Sequence, residues 1–129
     1  MLYLDTSALA KLCKIEAESA ALEQWLEDHP AAWVTSAITE VELTRSIARA
    51  YPAGLARVPG LLQRCDRLRI DERVRTEAAA LEPSTLRSLD AIHLATALEL
   101  SESLDAFLVY DKRLGEAAEA MGLTVEAPA

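Results

Sequence analysis

Leu2-Tyr3-Leu4-Asp5-Thr6-Ser7-Ala8-Leu9 is the stretch that decides how the rest of the chain is read. Its three leading apolar residues suit a short buried strand. The oxygen-bearing residues that follow at once suit the cap of a helix beginning near Ala8. A strand that passes straight into a helix is the unit from which parallel sheets are built. The same handover recurs along the chain. Ala32-Trp33-Val34-Thr35 reads as a second strand, with Ser36 capping a helix through about Arg49. Leu68-Arg69-Ile70 reads as a third, capped by Asp71, and Ala106 to Tyr110 as a fourth, followed by Asp111 and a helix to about Met121.

Further helices are expected from Ala17 to Asp28, stopped by His29-Pro30, from Leu55 to Arg64 after a break at Tyr51-Pro52-Ala53-Gly54, from Glu72 to Leu81, and from Leu86 to Leu100. Gly122 ends the last helix and leaves Leu123-Thr124-Val125 as a candidate final strand. This alternation predicts the α/β class: a mostly parallel central sheet of four or five short strands, flanked by helices on both faces. At 129 residues, with no repeat or linker, the expectation is one domain over 1–129. With 51% hydrophobic and 26% charged residues, the composition excludes disordered and fibrous classes. No apolar run reaches the eighteen or so residues of a membrane span. The opening residues carry no basic leader or cleavage site, so the expected location is cytoplasmic. Cys13 and Cys65 read as isolated small thiols, buried or half-buried, with neither disulfide-framework nor metal-type spacing.

The net charge of −8 would repel a polyanion on average, but the charge is unevenly placed. Residues 1–44 carry eight acids against two bases, and residues 76–129 ten against three. Residues 45–75 carry three acids against Arg45, Arg49, Arg57, Arg64, Arg67, Arg69, Arg73 and Arg75. Arg suits bidentate phosphate contact, so this block reads either as a strip facing nucleic acid or as solvated helix faces paired with acids elsewhere.

Most acids fall at polar positions of amphipathic helices; four do not. Asp5 and Asp111 each follow a strand, and in a parallel sheet both ends face the same side, where α/β ligands bind. Each alone also reads as a helix N-cap. Asp90 lies in the almost wholly apolar stretch Leu86 to Leu98, where a carboxylate needs a cation, a hydrogen-bond network or a first-turn position; an ion pair with Arg87 is one answer. Glu42 falls on the same helical side as Ile38 and Val41 and points partly inward. Like charges 4 Å apart repel by about 4 kcal/mol per pair at an effective dielectric of 20. A converging acid cluster without nearby Lys or Arg therefore calls for a divalent cation, and hard oxygen donors favour Mg²⁺ or Mn²⁺ over zinc. Such a cation suits phosphodiester hydrolysis. His93, one turn beyond Asp90, reads as a packed or hydrogen-bonded histidine, not a base, and His29 as an exposed helix end.

The chain resembles the PIN-domain nucleases, in particular the VapC-type toxins of bacterial toxin–antitoxin pairs. The resemblance is carried by Leu4-Asp5-Thr6-Ser7-Ala8-Leu9, Thr35-Ser36-Ala37-Ile38-Thr39 leading to Glu42-Leu43, Arg87 to Ala97, and Tyr110-Asp111-Lys112-Arg113-Leu114. It implies a PIN-like three-layer fold and a Mg²⁺- or Mn²⁺-dependent endoribonuclease whose catalytic and metal-binding residues are Asp5, Glu42, Asp90 and Asp111. It also implies an RNA substrate of the tRNA or ribosomal RNA kind, a homodimer, and a cognate antitoxin that inserts a basic segment into the acidic site. One position departs from the pattern. Val109 stands where the family often has Ser or Thr, so either Thr6 or Ser7 supplies the hydroxyl or the metal is held more loosely there. Two other readings stay open: a receiver-like phospho-accepting module, and a catalytically silent PIN-like domain that binds RNA or a partner.

Overall fold

A computed structural model describes residues 1–129. The chain runs β1 (Leu2–Leu4), α1 (Thr6–Cys13), α2 (Ser19–Asp28), β2 (Trp33–Ser36), α3 (Thr39–Ala50), a 3₁₀ helix (Pro52–Arg57), α4 (Val58–Arg64), β3 (Cys65–Leu68), α5 (Glu72–Ala80), α6 (Ser88–Glu99), β4 (Ala106–Leu108), α7 (Lys112–Ala120) and β5 (Val125–Glu126). The five strands are ordered β3-β2-β1-β4-β5 and every pairing is parallel. Alternation along β1 sorts the two sides of the sheet. Leu2 and Leu4 join a core with Leu9, Leu22, Leu43, Ile47 and Leu62 from α1 to α4. Tyr3 joins the opposite core, with Phe107, Leu94, Leu114 and Ala118 from β4, α6 and α7. The three-layer α/β expectation therefore holds, with five strands.

Several boundaries move. The third strand lies at Cys65–Leu68 and not at Leu68–Ile70. As an edge strand it buries only Cys65 fully, so its exposed Asp66 and Arg67 hide it from a search for apolar runs. Ser36 belongs to β2, and its hydroxyl takes the Ile38 N–H in a tight turn before α3 begins at Thr39. The single helix expected over Leu55 to Arg64 is split. Pro52 opens a 3₁₀ segment and Pro59 sits in the first turn of α4, where its missing N–H does no harm. Gly54 presses that 3₁₀ segment against α1, since a Cβ there would lie 2.5 Å from the Cys13 carbonyl oxygen. The last strand is Val125–Glu126 and not Leu123 to Val125.

The strand order sets the location of the site. From β1 the chain steps to β2 on one side and later to β4 on the other, so β1 and β4 flank the point where the order reverses. Crevices form beyond the carboxyl ends of strands at such a point.

Candidate functional site

Three features of local sequence aim acids at this crevice. Asp5 ends β1 and caps α1: its Oδ2 accepts the Ser7 N–H at 3.0 Å and the Ser7 hydroxyl at 2.6 Å. Asp111 caps α7, its Oδ1 accepting the Leu114 N–H at 2.9 Å. Asp90 is the third residue of α6, near the helix's positive end, and Glu42 lies in the first turn of α3. All four line one cleft of about 660 Å³, together with Thr6, Ser7, Arg45, Arg49 and Arg87.

One cation sits within the cluster. Arg87 donates from Nε to Asp90 Oδ2 at 3.1 Å and from a terminal nitrogen to Asp111 Oδ2 at 3.2 Å. The first contact is the foreseen i, i+3 pair; the second joins the N-terminal ends of α6 and α7 and depends on tertiary structure. His93, buried on the inner face of α6, points Nε2 at Glu42 Oε1 across 2.6 Å and lies 3.6 Å from Asp5 Oδ1. Its Nδ1 meets the Tyr3 hydroxyl at 2.7 Å. As read from the sequence, His93 is thus a hydrogen-bonded core residue, and it holds Glu42. Thr6 donates to the same Glu42 oxygen at 3.0 Å.

These contacts shift Glu42 and Asp90 in opposite directions from their ordinary values. Burial works to raise the pKa of Glu42, but hydrogen bonds from His93 and Thr6 outweigh it and hold the group below the ordinary carboxylate value. Burial raises that of Asp90, and the neighbouring Asp5 and Asp111 add to the rise against the pull of Arg87. For His93, burial disfavours the charged ring, yet the Glu42 hydrogen bond and the charge of Asp5 carry its pKa above the usual histidine value.

The donor set suits a hard divalent cation. Asp5, Glu42 and Asp90 each keep one carboxylate oxygen that no protein group hydrogen-bonds, and the acids contribute oxygen alone. As arranged, no three acidic, histidine or cysteine side chains draw in closely enough to encircle one ion. Arg87 supplies the positive charge between two of them. At the Val109 position both candidate hydroxyls are engaged: Thr6 with Glu42, and Ser7 with Asp5 and with the Tyr110 N–H at 2.9 Å.

The arginine block does not form one strip, because it is shared among α3, the 3₁₀ helix, α4, β3, α5 and the turn between β3 and α5. Arg67 pairs with Glu40, Arg73 approaches Glu99, and Arg64 stacks on Trp33 with its guanidinium 3.7 Å from the ring centre. Arg57 and Arg64 line a separate groove of about 530 Å³ with Glu23 and Glu27. Only Arg45 and Arg49 reach the acidic cleft. Their spacing from Glu42, three and seven residues along one helix, is the sequence signal that marks them.

The PIN domain family profile matches residues 2–120. The chain belongs to the PIN domain family. Within it the chain is similar to "Ribonuclease VapC35" of Mycobacterium tuberculosis, 54% identical over 131 residues covering 99% of this chain and 97% of that protein. It is also similar to "Ribonuclease VapC46" of the same organism, 41% identical with 98% and 97% covered. Among solved structures, a toxin–antitoxin complex from Klebsiella pneumoniae superposes with a TM-score of 0.74 at 24% identity, covering all of this chain and 98% of the other; that likeness speaks for the PIN fold. The receiver-like alternative falls with the family match. Membership agrees with the resemblance carried by the motifs around Asp5, Glu42, Asp90 and Asp111. No helix of this PIN domain is long and apolar enough to cross a membrane.

Proposed function

We propose that residues 1–129 act as one PIN-like domain, a metal-dependent endoribonuclease of the VapC type that hydrolyses RNA phosphodiester bonds. The observation that carries the reading is the gathering of four carboxylates, three with an oxygen unclaimed by any donor, in the crevice where the strand order reverses. Relatives 54% and 41% identical that are named ribonucleases support it. Asp5, Glu42, Asp90 and Asp111 would hold Mg²⁺ or Mn²⁺, which when bound polarises a phosphoryl oxygen and stabilises negative charge on the leaving oxygen. The chain's own residues do the rest. Glu42, kept ionised by His93 and Thr6, serves as a fixed anion that binds through water or orients the attacking water. Asp5, Asp90 and Asp111 are the proposed inner ligands, and burial of Asp90 raises its pKa against the pull of Arg87. Arg87, its side chain 73% exposed over the cleft, steadies a substrate phosphate or Asp90 itself.

Structured RNA such as tRNA or ribosomal RNA is the proposed target, and a homodimer the proposed working form. The acidic cleft and the net charge of −8 suit a basic inhibitory segment from a cognate antitoxin, since opposite potentials favour association. The deciding experiment incubates the purified protein with RNA under Mg²⁺, under Mn²⁺ and under chelation, beside Asp5→Asn and Asp90→Asn. Cleavage that needs the cation and disappears in both variants is expected. Full activity in either variant refutes the assignment.

A further inference from the structure

We infer that Arg45 and Arg49 form a phosphate track that carries the RNA strand away from the acid cluster along α3. The inference rests on the proposed RNA-cleaving site and adds the path of its substrate. Arg45 and Arg49 follow Glu42 by three and seven residues, so all three lie on one stripe of α3, with Arg49 about 10 Å further along the axis at 1.5 Å per residue. All three line the same cleft. Within the basic block, Arg67 and Arg73 are occupied by Glu40 and Glu99, Arg75 donates to the Ile70 carbonyl, and Arg57 and Arg64 face a different groove. Arg45 and Arg49, by contrast, enter no ion pair and no side-chain hydrogen bond within the chain. In a protein of net charge −8, two uncommitted guanidinium groups at the acidic cleft are the local source of attraction for a polyanion.

Guanidinium groups suit phosphate oxygens, and no aromatic side chain lines this cleft to stack on bases. The track therefore reads the sugar–phosphate backbone and is indifferent to sequence. For single-stranded RNA each neutralised phosphate contributes about 0.7 to the slope of log affinity against log salt. Losing two lowers that slope by about 1.4 and weakens binding about tenfold near 0.15 M salt.

The test measures binding of a labelled single-stranded RNA oligonucleotide by fluorescence anisotropy across a range of KCl, in an Asp90→Asn background so that the RNA stays intact. It compares that protein with versions also carrying Arg45→Gln and Arg49→Gln, or Arg57→Gln and Arg64→Gln. RNA cleavage is followed in parallel on the same pairs of changes with Asp90 restored. The cleft pair should lose about tenfold in affinity and about 1.4 in salt slope, with an equal loss for oligonucleotides of different sequence. In the active background it should raise KM and leave kcat unchanged. The groove pair, with the same charge removed elsewhere, should keep its slope. An unchanged slope in the cleft pair, or an equal drop in both pairs, overturns the track whatever cleavage shows. A slope drop confined to the cleft pair, with no cleavage by the chain that retains Asp90, keeps the track and overturns the nuclease reading instead.

Discussion

Nε2 of His93 stands 2.6 Å from Oε1 of Glu42, so a fully buried side chain of α6 fixes a carboxylate of α3 across the crevice. The far side of the ring is held by Tyr3, whose hydroxyl pKa is driven up by burial and whose oxygen shares a 2.7 Å hydrogen bond with Nδ1. The link thus runs from the middle of β1 to the mouth of the cleft. It makes the position of Glu42 depend on the core packed against β4 and α6.

Tyr3→Phe removes the hydroxyl and leaves a buried ring nitrogen without its partner. The expected cost is about 1–3 kcal/mol of folding stability, read as a lower urea midpoint. RNA cleavage should survive, because His93 and Thr6 still hold Glu42. A midpoint equal to that of the wild type would show that the Tyr3–His93 contact carries no weight.

Asp111 has two duties that one pair of substitutions separates. Its Oδ1 caps α7 through the Leu114 N–H, and its carboxylate charge belongs to the proposed cation site. Asp111→Asn keeps a good cap and removes the charge; Asp111→Ala removes both. Thermal unfolding should show Asp111→Ala less stable by about 1 kcal/mol than Asp111→Asn, while both lose Mg²⁺-dependent cleavage. Equal stability of the two variants would deny the capping role.

Three of the acids were legible in the sequence because each breaks a local pattern: Asp5 and Asp111 end apolar runs, and Asp90 is the lone acid in the almost wholly apolar stretch Leu86 to Leu98. Their common location followed from the parallel order of the strands, a rule that needs no coordinates. What joins them was less legible. Arg87 reaches Asp90 within one helical turn, and that pair could be read off the spacing, but its second contact with Asp111 spans 24 residues and depends on how the start of α6 meets the start of α7. The Tyr3–His93 pair spans 90 residues and is invisible to periodicity. β3 was misplaced for a related reason. Its burial is decided by being at the sheet edge, with Cys65 buried and Asp66 and Arg67 exposed, and composition alone does not tell an edge strand from a loop.

Away from the cleft, α5 and α6 bring Glu77 and Glu99 together. One buried oxygen on each side chain lacks a hydrogen bond, and Arg73, although 3.1 Å from Glu99, is not aligned to make one. Burial raises the pKa of Glu77, and the Glu99 carboxyl raises it further against the pull of Arg73. The folded value therefore lies above that of the unfolded chain, about 4.3. The fold binds this proton more tightly than the unfolded chain does. The stability it contributes is complete below about pH 4.3 and is lost as pH rises through the raised folded value. Glu77→Gln should remove this loss, so urea midpoints of the variant should overtake those of the wild type as the pH is raised toward neutrality. A constant difference between the two proteins at every pH would rule out the raised Glu77 pKa as the cause.

Arg87 competes for the same carboxylates that the proposed cation needs. Its guanidinium holds Asp90 Oδ2 and Asp111 Oδ2 at 3.1 and 3.2 Å. With the Arg87 side chain 73% exposed, solvent screens both pairs, so the competition is worth at most about 1 kcal/mol. Arg87→Gln should then bind Mn²⁺ more tightly by up to about fivefold, as measured by calorimetry. The same variant should show a higher KM for RNA, since a positive group over the cleft is lost. Weaker Mn²⁺ binding by Arg87→Gln would reverse the account: Arg87 would then be organising Asp90 and Asp111 for the ion, and its contacts would favour loading of the site.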